Sequence, residues 1–177
     1  ETDAGDEIKR AIETAEFYVD DEHIEIKGKD AKSKLDQALE YLVTHVYFDL
    51  NLVARNVDSD TDIVNSLTGA ETSLAGKGEN SGAAANVEEF LEMQEMKNLP
   101  TSMADIQSRY QGIPSGWREI DIAAVVALLI YEQKVTIKYS GMTIQPNDPK
   151  LPDMLRKKSE IGRTVISKRH VVKASQM

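Results

Sequence analysis

"TSMADIQSRYQGIPSGWREIDIAAVVALLIYEQKVTIKYSGMTIQ", residues 101–145, is the stretch whose reading decides the fold. Ser102 and Asp105 stand at capping-box spacing, and Gly112 supplies a stop, so "TSMADIQSRYQG" reads as a short helix. "IPSGW" reads as a turn, and "REIDIAAVVALLIYEQ" as a strongly apolar helix. "KVTIKYSGMTIQ" closes the series as a hairpin, with Val135, Ile137 and Tyr139 alternating and Ser140-Gly141 at the bend. Helix, turn, helix, hairpin is the pattern of a winged-helix module, in which the second helix enters the major groove and the hairpin forms the wing. The residues oppose the DNA-reading version of that shape. Ile122 to Ile130 is nine apolar residues in succession, and a helix apolar all round is buried on most sides. A reading helix needs Arg, Asn or Gln aimed at base edges, and only Arg118 stands near the start of this one. The expectation is a winged-helix-like unit used for packing or protein contact.

"SGWRE" marks the entrance to that helix. Trp117 either staples the turn onto the core or, if exposed, forms a partner surface with Arg118.

Outward from this core the chain reads as α+β. "TDAGDEIKRAIETAEF" has Ile8, Ala11, Ile12 and Ala15 at helical spacing. "FYVDDEHIEIKG" alternates as a hairpin, Phe17 and Val19 on one arm and Ile24 and Ile26 on the other. "DAKSKLDQALEYLVTHVYFDL" predicts a helix capped by Asp30 with a buried stripe of Leu35, Ala38, Leu39, Leu42 and Val46. "SDTDIVNSLTG" predicts one more short helix, closed by Gly69. Residues 1–69 thus read as a helix–hairpin–helix module and residues 70–86, rich in Gly, Ala, Ser and Asn, as a linker. Residues 87–177 read as the winged-helix-like module with a basic C-terminal tail. It opens with the helix "NVEEFLEMQEMKNL" and ends in a proline-punctuated stretch and a final strand, "TVISKRHVV".

Composition sets limits on function. Of 177 residues 41% are hydrophobic and 29% charged, as in ordinary soluble domains. There is no cysteine, hence no disulfide or thiolate metal site, and the longest apolar run is about half of a membrane span. These features fit a cytoplasmic protein, and the start at Glu1 suggests a segment of a longer polypeptide. The net charge of −9 hides an asymmetry: residues 1–133 balance at −16 and residues 134–177 at +7. Either the halves attract each other or are solvated, or the basic side contacts phosphates. In the phosphate reading the contacts are Lys134, Lys138, Arg156, Lys157, Lys158, Arg163, Lys168 and Arg169.

Catalytic motifs do not appear. "SLAGKGENSGAAAN", residues 73–86, sets a lysine among glycines but fails as a Walker A loop. Five residues before Gly76 stands Glu71 where glycine is needed, and Gly78 follows Lys77 where a hydroxyl is needed. His23, His45 and His170 are isolated, without a partner histidine at i+4. Acidic runs such as Asp20-Asp21-Glu22 lack the alternation and glycine of a calcium loop. No Gly-x-Ser-x-Gly elbow occurs.

With "GIPSGWREIDIAAVVALLIYEQKVTIKYSG" and "DMLRKKSEIGRTVISKRHVV" both in view, the chain resembles the large P-loop proteins of bacterial phage-exclusion (BREX) defence systems, the BrxC/PglY group. The resemblance rests on Gly116-Trp117, the apolar run Ile122 to Tyr131, the strand start Lys134 to Ile137, and the segment Lys157 to Arg169. "EFYVDDEHIEIKGKDAKSKLDQALEYLVTHVY" looks like the group's hairpin-then-helix element. What the resemblance implies is a non-catalytic segment of an anti-phage ATPase, with no cofactor of its own and with ATP and Mg²⁺ handled elsewhere in the parent. Its implied partners are other subunits of a defence complex or duplex DNA.

Overall fold

The computed structural model describes residues 3–70 and 79–170. They divide into two compact units, one up to Phe48 and one from Asp49 onward.

In the first unit, α1 (Ala4–Thr14), the antiparallel hairpin β1 (Phe17–Val19) and β2 (Glu22–Ile24), and α2 (Ala31–Val46) follow in the order the sequence predicts. The hairpin turns on Asp20 and Asp21, both left-handed with φ of 50° and 64°, as a two-residue hairpin turn of primed type requires. Asp30 caps α2 by accepting the Ser33 N–H at 3.0 Å. The expected buried stripe of α2 is corrected. Leu35, Leu39 and Leu42 are 43%, 50% and 42% exposed, and Ile24 is the one fully buried apolar residue of the unit among those described. The sequence shows that α2 is amphipathic; it does not show whether this unit has anything to set against the apolar side.

The second unit is built around one helix. α3 (Asp60–Thr68), α4 (Ser81–Met96), α5 (Met103–Gln111), α6 (Glu119–Tyr131), β3 (Val135–Tyr139), β4 (Met142–Ile144), α7 (Leu151–Arg156) and β5 (Thr164–Lys168) make it up. Every residue of α6 from Asp121 to Ile130 is buried, because α3, α4, α5, α7 and β3 all pack on it. Each large aliphatic side chain so enclosed contributes about 1.5–3 kcal/mol. The strands form one antiparallel sheet in the order β4-β3-β5. Val135, Ile137, Thr164 and Ile166 fill its inner face. The Ile166 N–H donates to the Thr101 carbonyl at 2.9 Å, which adds a short bridge beside β5 just before α5 begins.

The expected domain boundaries are corrected in the described residues. α3 lies with the second unit, not with the N-terminal module, since Val57 and Ile63 enter the same core as α6. The linker expected at 70–86 becomes helix from Ser81, with Ala83 and Ala84 buried; residues 71–78 lie outside the described residues. Small side chains pack a helix closely without showing large apolar periodicity. Gly69 ends α3 at φ 70°, where an added Cβ would overlap the Tyr131 ring.

Candidate nucleic-acid interface and the closure of the reading helix

α5, the turn and α6 occupy the helix-turn-helix positions, and β3–β4 the hairpin. The capping box forms: Asp105 accepts from the Ser102 N–H at 2.8 Å, while the Asp105 N–H donates to the Ser102 hydroxyl at 3.2 Å. The helix in the reading position presents no face to a groove. α3 and α7 cover it on the sides that the other two helices and the sheet leave.

Trp117 is 3% exposed, which corrects its reading as a partner surface in favour of the packing one. Its ring stacks on Tyr110 with centroids 4.6 Å apart, and its Nε1–H donates to the Asp49 carbonyl at 3.0 Å. Burial pushes the Tyr110 hydroxyl up to about 12, and that hydroxyl donates to Asn86.

Arg118 stays exposed, yet most of its donors are held by its own chain. Its Nε donates to Asp121 Oδ2 at 2.7 Å and its Nη2 to the Val57 carbonyl at 2.7 Å. Asp121, 2% exposed, accepts the Val57 N–H at 2.9 Å on its other oxygen. Two side chains therefore fasten the irregular segment before α3 onto the start of α6. The hydrogen bonds to Asp121 hold the Arg118 guanidinium above its ordinary range. The sequence signal for this lock is the Arg-x-x-Asp spacing at a helix start, and its partner at Val57 leaves no local trace.

The eight candidate phosphate contacts scatter. Lys134 pairs with Glu132 at 2.9 Å and Glu88 at 3.4 Å. Lys168 pairs with Glu92 at 2.7 Å on α4. Arg156 pairs with Asp60 and Glu119, tying α7 to α3 and α6, and Lys157 pairs with Asp153 at 2.7 Å. Lys134, Arg156 and Lys168 thus join the basic side of the chain to the acidic side, while Lys157 pairs within the basic segment, and all four charges are already paired. Lys158 lines a shallow groove with Gln107, Ser108 and Glu119. Arg169 bonds Gln133 at 3.2 Å. Lys138 and Arg163 stand at the hairpin end of the sheet, outside those ion pairs, and the Arg163 charge helps to hold Glu160 below its ordinary value. Lys138 points outward beside Thr143 and Val165, and the Arg163 carbonyl accepts from the Ser140 N–H at 3.1 Å.

Among the described residues no group of three or more His, Asp or Glu is placed to hold a metal ion. No described helix is long and apolar enough to cross a membrane.

Compared with known proteins, residues 46–170 match the family model described as the BREX ATP-binding protein BrxC winged helix-turn-helix domain. No solved structure matches the chain.

Proposed function

Because the chain belongs to the family of BREX BrxC winged helix-turn-helix domains, we propose that it serves a BREX ATP-binding protein as a non-catalytic positioning module. In this reading it docks other subunits of a cytoplasmic defence complex and does not read base sequence. The carrying observation is the burial of α6 on all sides, since direct readout requires side chains that reach base edges. ATP and Mg²⁺ are bound elsewhere in the parent protein in this reading, because no position here matches a phosphate-loop lysine.

Lys138 and Arg163 favour a second reading, contact with a nucleic-acid backbone at the hairpin. Such contact neutralises phosphates, ignores sequence and weakens steeply with salt.

Fluorescence anisotropy with labelled duplex DNA at about 50 and about 200 mM salt separates the two. The positioning reading expects no saturable binding at either salt. Sequence-independent binding at low salt, abolished by Lys138→Glu with Arg163→Glu, would establish the second reading. Preference for one duplex sequence over another would overturn both.

A further inference from the structure

We propose that the end of β5, Lys168–His170, is a strap that ion pairs hold against α4, tightening as pH falls from about 8 to about 6 and loosening with salt. Glu88, Glu92 and Glu95 stand at i, i+4 and i+7 along α4, so the three carboxylates share one helix face. Cations from the sheet meet each of them. Lys134, just before β3, reaches Glu88 at 3.4 Å, Lys168 reaches Glu92 at 2.7 Å, and His170 Nε2 stands 2.7 Å from Glu95. The main chain joins the same seam, since the Arg169 N–H donates to the Lys134 carbonyl at 2.7 Å.

The strap is separable from the strand it extends. Thr164 and Ile166 anchor β5 in the core. Beyond Ile166 the holding changes character, because the side chains of Glu92, Glu95 and His170 are about half exposed or more. Exposed ion pairs are weak, each shifting an equilibrium by up to about 5-fold, and salt screens them. A segment held mainly by such pairs opens without unfolding the rest. Between α4 and β5 lies a cleft of about 300 Å³ whose walls include Leu91, Leu99 and Ile166 as well as Glu95 and Lys168. Release of the strap therefore reshapes that cleft.

His170 supplies the pH response. Its ring is a cation only when both nitrogens carry protons, and histidine makes that change between about pH 5 and 8. The charges around it are Glu92 and Glu95 from α4 and Lys168 and Arg169 from its own segment. Lys134 and Glu132 lie farther along the seam, paired at 2.9 Å. Lys168 first, and His170 to a smaller degree, hold Glu92 below its ordinary value, so Glu92 keeps its charge across this range. Protonated His170 therefore adds an attraction that is present at the lower pH and lost as pH rises through the histidine's titration. The neutral ring keeps at most an ordinary hydrogen bond to Glu95, weaker than the charge-assisted one.

Amide hydrogen exchange of the full 177-residue chain is the test, read by NMR as protection factors so that the pH dependence of the exchange chemistry cancels. The Arg169 amide reports the strap. The Ile166 amide, which donates to the Thr101 carbonyl, reports the anchored strand. Arg169 protection should fall about 2- to 5-fold from about pH 6 to about pH 8, and fall again from about 50 to about 500 mM salt, with Ile166 unchanged. His170→Gln should remove the pH response and keep the salt response, and Glu92→Gln should lower Arg169 protection at every pH. Should His170→Gln lose helicity by circular dichroism, Glu95→Gln takes its place. Arg169 protection indifferent to pH or to salt overturns the proposal, as does a pH response that survives the substitution. An equal fall at Ile166 would mean that the whole unit loosens, and also overturns it.

Discussion

The two units of this chain solve the same problem with unequal means. Both set amphipathic or apolar helices beside an antiparallel hairpin, and both use side-chain caps, Asp3 and Asp30 in the first and Ser59 and Ser102 at two helices of the second. The second encloses α6 from Asp121 to Ile130; the first, among its described residues, encloses one isoleucine. Caps and turns suffice to draw an element, and they do not hold a unit together. What does so is the number of apolar faces that a fold can turn toward one another.

That contrast predicts unequal sensitivities. Leu129→Ala, at a fully buried position in the last turn of α6, should cost about 2–5 kcal/mol in denaturant unfolding, as cavity-forming substitutions do. A loss under about 1 kcal/mol would mean that α6 is not the shared core. Asp121→Ala should cost about 1–3 kcal/mol, because it leaves the buried Val57 N–H without its acceptor. Asp121→Asn, which keeps an acceptor oxygen, should cost less. Leu35→Ala in the first unit should move stability, measured on dilute chain, by under about 0.5 kcal/mol; a core-sized loss there would erase the distinction between the units.

Acid should act on the second unit through its carboxylates. Hydrogen bonds from the Asp58 and Ser59 backbone and the Ser59 hydroxyl hold Asp62 below its ordinary value, and Lys168 does the same for Glu92. The Tyr139 hydroxyl and Ser159 lower Glu160. A carboxyl whose folded value is depressed stabilises the fold fully above its unfolded value, near pH 4, and that contribution is lost as pH falls through the folded value. The thermal midpoint should accordingly drop below about pH 4, and Asp62→Asn should flatten that limb. A limb unchanged in Asp62→Asn would assign acid sensitivity elsewhere.

Much of the second unit was legible from residues 101–145, because capping boxes, a nine-residue apolar run and a Ser-Gly bend are local signals. The apolar run also told the use of α6: a helix without a polar face has to be covered. What covers it was not legible. α3 reads as a helix from "SDTDIVNSLTG", but nothing in those residues says that it crosses a glycine-rich stretch to join a helix some 60 positions later. Such pairings are fixed by contacts of high sequence separation, which leave no periodic mark. The α4 start at Ser81 was missed for a related reason, since Ala83 and Ala84 pack by being small. For the candidate interface the sequence supplied the cations and left the acids open. Lys168 with Glu92 and Arg156 with Asp60 are pairings of fold, so which lysines and arginines sit in ion pairs could not be told before the fold placed the acids.

The stacking of Trp117 on Tyr110 has an optical consequence. The chain holds a single tryptophan, it is buried in the second unit, and the first unit has only tyrosines and phenylalanine as aromatic chromophores. Emission excited at the red edge therefore reports one unit alone, shifting to longer wavelength when Trp117 meets water. Backbone dichroism sums over both units. A gap between the two signals along a denaturant series would resolve the melting of each unit without a label, a truncation or a cut in the chain.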